Sequence, residues 1–243
     1  MTGEGWTQAV RRQLGLGRVL PLGGAQDGAW VTESAADTAL RRMADKVAGV
    51  RLGTVRIAQA DPGRAVEPAV PAPPSALSPG PLRITAEFTA VATEPLPAAA
   101  DRLRAALTTA AHRLGLAAEE VDLTVTGLLD EGADAGAAPR TGPAHMAPTE
   151  SAPPERSDDA DEARVARAAL AVPGVVRLTG VIGGAVHLEE HPATDTLPRR
   201  HARLELATGS GHRALDVALA VRAAVGAALP DHPTVAVLVT EVG

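Results

Sequence analysis

Apolar positions recur along this chain with two different periods. In "TESAADTALRRMADKVAG", residues 32 to 49, Ala36, Leu40, Met43 and Val47 fall at helical spacing. Thr32 is placed to cap that helix and Gly49 to stop it. A strand is expected over residues 50 to 58. In "LRITAEF", residues 82 to 88, Leu82, Ile84, Ala86 and Phe88 alternate with Arg83, Thr85 and Glu87, which predicts a half-buried strand. Pro97 opens a second helix whose stripe is Leu103, Ala106, Leu107, Ala110 and Leu114, and Gly115 ends it. Val121, Leu123 and Val125 then alternate in a closing strand.

The same order returns further along. A helix is expected over about 160 to 171, and Pro173-Gly174 turns into extended sequence through Glu190. "HARLELA" gives another alternating strand. The next helix, beginning near Gly211, carries Leu215, Leu219, Arg222, Val225 and Leu229. "TVAVLVTEV" is apolar on both faces and predicts a central strand. "AGVRLG" at 48 to 53 is echoed by "PGVVRLTG" at 173 to 180. Each half thus reads helix, extended pair, strand, helix, strand. A duplicated small module explains this: an α/β chain of the α+β two-layer kind, with helices on one face of a short mixed sheet.

Between the halves, "LDEGADAGAAPRTGPAHMAPTESAPPERSDDAD" (129 to 161) has no periodic apolar pattern and cannot repay its ordering entropy. The expected organisation is an amphipathic arm over 1–23, a first module over 24–129 with a Pro-rich loop at 61–81, a flexible linker over 130–159, and a second module over 160–243. Prolines in the 61–81 loop forbid a central strand or a regular helix there.

Composition narrows the function. Alanine and valine dominate the apolar set, Phe88 is the only phenylalanine, and Trp6 and Trp30 are the only tryptophans. Small side chains bury little area each, so thin cores are expected. The net charge of −6, from 29 acidic and 23 basic residues, argues against a general nucleic-acid binder. Without cysteine there is no disulfide, thiol catalysis or thiolate metal site. With no run of 18 apolar residues, neither a signal peptide nor a membrane span is expected.

Candidate chemistry is sparse. "HLEEH", His187 to His191, lacks the zincin order, and an extended strand would hold its histidines roughly 13 Å apart at ~3.3 Å per residue. Glu189, Glu190 and both histidines read as solvated polar groups. "GSGH" at 209 to 212 precedes a helix and could receive an anion, but a turn with Ser210 as helix cap is the commoner use. A Ser210–His212 hydrolase lacks the nucleophile-elbow pattern and would need a deep polar pocket with a distant carboxylate. Asp158-Asp159 and Glu119-Glu120 read as solvated charges. No catalytic, cofactor-binding or metal-binding residues are therefore assigned, and no cofactor is expected. At the N-terminus Trp6, Val10 and Leu14 share a helical face near Arg11, Arg12 and Arg18, a candidate partner-binding arm. Arg41, Arg42 and Lys46 read as an outer helix face, with Asp37 and Asp45 spaced to pair with Arg41.

"GAWVTESAADTALRRMADKVAGV", Gly28 to Val50, resembles the opening of the alkaline shock protein family, also called the envelope stress response family. Gly28, Val31, Thr32, Ala36, Ala39, Gly49 and Val50 carry the likeness. "ELATGSGHRALDVALAVRAAVGAAL" looks like that family's strand, glycine turn and following helix, through Gly209, Val217, Ala218, Val221, Arg222 and Val225. The departures are Thr208 in place of an aromatic, "VATEPLP" in place of the first glycine turn, and no clear leader strand before the second half's first helix. The whole chain also resembles an actinobacterial group often labelled with a baculovirus protein name and encoded near alkaline shock proteins and their membrane anchor.

The resemblance implies a non-enzymatic, cytoplasmic protein held at the inner face of the envelope by an integral-membrane partner. The expected partners are that anchor and other alkaline shock family proteins, with homo-oligomers also open and with no specific nucleic acid or direct membrane insertion. A regulatory or nucleic-acid-binding adaptor, and behind it a small-molecule enzyme, are the alternatives.

Overall fold

A computed structural model describes residues 17–129, 157–191 and 199–243. In chain order the elements are β1 (Val19–Leu22), β2 (Ala29–Thr32), α1 (Glu33–Ala44), β3 (Val50–Gln59), β4 (Leu82–Val91), α2 (Leu96–Leu114) and β5 (Ala118–Leu129). There follow α3 (Ser157–Leu170), β6 (Val175–Leu178), β7 (Val186–His191), β8 (Arg199–Thr208), α4 (Ala214–Ala228) and β9 (Thr234–Val242). The fold is α+β: four helices and two mixed sheets among the described residues. One sheet has the order β3-β4-β5. The other runs β1-β2-β9-β8, with β6 and β7 sharing the far edge of β8.

Local rules account for most boundaries. Thr32 caps α1 by accepting from the Ala35 N–H at 3.3 Å, and Arg41 pairs with Asp37 at 2.8 Å one turn away. Strand β4 buries Leu82, Ile84, Ala86, Phe88 and Ala90 and turns the alternate residues outward. Gly115 closes α2 in the left-handed region at φ +94°. β9 is paired on both sides, parallel to β2 and to β8, and is buried on both faces.

The echo between the halves has a structural counterpart. Gly49 and Gly174 both take positive φ, +73° and +95°. Each offers its carbonyl where the strand that leads into the following helix ends, to Val91 N–H at the end of β4 and to Gly209 N–H after β8, both at 2.9 Å. Strands β4 and β5 are parallel and joined through α2, as β8 and β9 are through α4. β4–β5 shifts register after Leu82 and again after Phe88, and the second shift corresponds to the one that β8–β9 makes after Leu206. There Thr126 Oγ1 donates to the Phe88 carbonyl and Thr240 Oγ1 to the Leu206 carbonyl, each at 3.3 Å.

The expected boundaries need correction in four places. Residues 19–22, assigned to the arm, are the buried strand β1. β2, assigned to the first module, pairs with β9 instead of joining the β3-β4-β5 sheet. The physical reason is β9 itself: a strand apolar on both faces needs a neighbour on each edge, and β2 is the apolar strand that fills the second. Helix α1 stops at Ala44, and turns carry the chain on to Gly49. α4 begins at Ala214 with Arg213 as its N-cap and no side-chain cap bond, so Ser210 does not cap it.

The thin cores expected for two halves are instead one continuous core. It joins Leu22, Leu40, Phe88, Leu107, Val165, Leu204, Val221 and Val237 from both sheets and all four helices. The 61–81 loop forms no strand, as its prolines require, but it covers the far face of β2 and β9. Val70 packs there with Val19, Trp30, Ala236 and Leu238, and Leu77 N–H donates to the Val19 carbonyl at 2.8 Å along the β1 edge.

Candidate functional site

The last turns of α1 and α2 converge with the turn before α4 and the end of β9. Between them lies a shallow cavity of about 110 Å³. Its apolar floor comes from Ala39, Met43, Ala110, Leu114 and Val242, and its rim from Arg42, Lys46, Arg113, Ser210 and His212. It continues past His112, Gly211 and Arg213. The helical period explains the rim: Ala36, Leu40 and Ala44 of α1 face the core, which leaves Arg42 and Lys46 exposed.

Three contacts bring the halves together here. A Cβ at Gly115 would run into Leu215, so only glycine lets the end of α2 approach the start of α4 this closely. Arg213 Nε donates to the His112 carbonyl at 2.9 Å, placing a cation on the C-terminal carbonyls of α2. Arg42 Nη2 donates to the Val242 carbonyl at 3.2 Å.

Elsewhere on this surface arginines meet carboxylates: Arg18 with Glu33, Arg64 with Glu119, Arg83 with Glu120, Arg102 with Glu94 and Arg177 with Glu241. Arg42, Lys46 and Arg113, like the exposed Arg51, Arg56 and Arg167, have no carboxylate partner among the described residues, and only these three are gathered around one cavity. The groove is therefore locally positive over an apolar floor, and it complements an anion attached to something apolar.

The positions singled out in the sequence fare differently. Ser210 and His212 do meet in this groove, but the lining beside them is cationic, with no carboxylate to orient the imidazole as a base. His212 lies against Gly174. His187 is the second and His191 the last residue of the six-residue strand β7, and His187 Nε2 lies 3.8 Å from Glu189. No group of three His, Cys, Asp or Glu side chains able to hold a metal occurs among the described residues. Arg18 is tied to Glu33 at 3.2 Å and to the Ile57 carbonyl at 2.6 Å. Trp6, Val10, Arg11, Arg12 and Leu14 lie outside the described residues. No described helix is long and apolar enough to cross a membrane.

Two charged side chains do structural work that sequence reading missed or left unexplained. Glu205 belongs to an alternating strand, where a glutamate predicts a solvent-facing position, yet it is fully buried. Its carboxylate accepts from the Val181 N–H at 2.5 Å and the Ile182 N–H at 3.0 Å, holding the loop between β6 and β7. Burial pushes its carboxyl above the ordinary range, opposed by those two N–H donors and by nearby Arg203. Arg222 sits in the stripe expected for α4 and is half-buried. Its guanidinium donates to the carbonyls of Gln26 (3.0 Å), Asp27 (2.5 Å) and Val235 (2.9 Å), tying the β1–β2 turn to α4 and β9. Burial lowers its pKa from the ordinary arginine value, with Asp27 acting the other way.

Comparison with protein-family models, with curated proteins and with solved structures finds no match. The likeness to the alkaline shock family rests on the residues quoted for it.

Proposed function

We propose that this chain is a non-enzymatic structural and interaction protein of the envelope stress response type, acting through protein–protein contacts at the cytoplasmic face of the membrane. The observation that carries the reading is the groove: three cations without carboxylate partners among the described residues, Arg42, Lys46 and Arg113, set around Met43, Leu114 and Val242. An acidic segment with one or two apolar anchors, supplied by a membrane-anchor protein, fits that chemistry. The apolar anchor would supply most of the affinity, and the rim charges would steer approach and fix orientation. The family resemblance supplies the envelope connection. A net charge of −6 disfavours direct adhesion to anionic lipid, so a protein partner is the reading's second component.

The test is fractionation of the cell of origin with the neighbouring anchor gene present and then deleted, followed by flotation of the purified chain with anionic liposomes. Loss from the membrane fraction on deletion, with no flotation, is the expected result. Unchanged membrane association together with strong liposome binding would overturn it and return attention to the arm around Trp6.

A further inference from the structure

We propose that the outer edge of β5 receives an extended segment of another protein, which adds to the three-stranded sheet as a parallel fourth strand opposite Leu123, Thr124 and Val125. The inference rests on the reading of the chain as an interaction protein but uses residues outside the groove, so either can fail alone.

The internal duplication carries it. The shared register shift and the matching Thr126 and Thr240 hydrogen bonds place Leu123, Thr124 and Val125 at the positions of Val237, Leu238 and Val239. On β9 those three residues receive β2, with Ala29, Trp30 and Val31 opposite them in parallel register. Thr32 Oγ1 then donates to the Thr240 carbonyl at 3.4 Å. On β5 no described strand occupies the corresponding place. The difference shows in burial: Val239 is 0% exposed, whereas Val125 is 38% exposed and Leu128, further along the strand, 59%.

The edges at β1 and β3 are protected, and among the described residues that of β5 is not. The 61–81 loop runs along β1, and β3 carries Arg51, Gly53 and Arg56 with a register shift between Leu52 and Val55. The stretch "LTVTGLL" at 123 to 129 has no charge and no proline. An edge of that kind is a template for strand addition.

The segment of the second half that corresponds to β2 does not read as a strand. β2 leads directly into α1, and the equivalent segment before α3 reads "TESAPPER", 149 to 156, a sequence with paired prolines and no apolar alternation. A second copy fits poorly. Two β5 strands meeting antiparallel about Thr124 would bring the bulged residue Thr126 of each copy into the new ladder, whereas a short parallel strand ends before the bulge, as Val31 does opposite Val239. The occupant is therefore a short segment of a different protein, with apolar residues opposite Leu123 and Val125. A polar residue is accommodated between them, because Thr124 faces solvent. A serine or threonine following it would meet the Thr126 carbonyl as Thr32 meets that of Thr240.

Photo-crosslinking in the cell of origin tests this with the full chain. Benzoylphenylalanine is placed at Glu120 or Thr124, and at Thr54 on the opposite sheet edge as control. The expected result is one discrete adduct from positions 120 and 124, absent from position 54. Mass spectrometry should map it to one stretch of another protein, with the two attachment points in the same N-to-C sense as β5. Val125→Lys should reduce the adduct at least tenfold with the melting temperature unchanged; if that variant does not fold, Val125→Thr replaces it. An adduct no stronger than the Thr54 control, an adduct to a second copy of this chain, or attachment points in the opposite sense would each overturn the proposal.

Discussion

Replacing the Glu205 carboxylate by groups of similar size separates two effects that the native side chain combines. It supplies acceptors for the N–H groups of Val181 and Ile182, and it places an ionisable group in the interior. With the folded pKa above the unfolded value, the native state keeps its proton where the unfolded chain has lost it. Between those two values stability falls as pH rises, and the contribution from protonation is fully present only below the unfolded pKa. Glu205→Gln keeps an acceptor and removes the titration, so the slope of unfolding free energy with pH should flatten across that acid window in urea denaturation. An unchanged slope would assign the titration to another group. Glu205→Ala leaves both N–H groups without that acceptor and should cost about 1–3 kcal/mol at neutral pH. Arg222→Met removes charge-assisted bonds to three carbonyls and should cost about 1.5–3 kcal/mol in the same measurement. A loss below about 0.5 kcal/mol would show that water replaces the guanidinium there.

Among the elements, pairing governs exposure of the backbone. β9 has a hydrogen-bonded neighbour on each side, whereas β5 has only β4 among the described strands. In hydrogen exchange of the purified chain, the amides of β9 should therefore be the slowest of the two closing strands, and part of the 121–129 stretch should exchange early. Equal protection of both strands would mean that β5 is already covered. Much at this scale was legible in the sequence. The alternation of Leu82 to Phe88, the Thr32 cap and the Gly115 stop each encode local geometry, and the two-faced apolarity of 234–242 marks a central strand. What was not legible is non-local. The residues of β2 say that it is a buried strand but not that its neighbour is β9, about two hundred residues away. Likewise the prolines of the 61–81 loop exclude regular structure without revealing that Val70 covers Trp30 and Leu238. The groove is of the same kind: Arg42 and Lys46 read as an outer helix face, nothing in the sequence singles out Arg113, and it is the packing of α1 against α2 that brings the three to one rim.

At the scale of the whole molecule, the shared core and the β2–β9 pairing join the halves into one structure whose surface offers a cationic groove across their junction. The three rim residues are exposed and hold no carboxylates among the described residues, and the backbone hydrogen bond that their reversal breaks is the exposed contact of Arg42 with the Val242 carbonyl, so reversing them should disturb the partner far more than the fold. The direct test of the interaction reading is the triple variant Arg42→Glu, Lys46→Glu, Arg113→Glu, expressed at native level in the cell of origin and followed by membrane fractionation. The predicted result is at least a tenfold drop in the membrane-bound fraction, ~1.4 kcal/mol in binding, with a melting temperature within a few degrees of the parent. Full retention in the membrane fraction by a variant that remains folded would contradict the account.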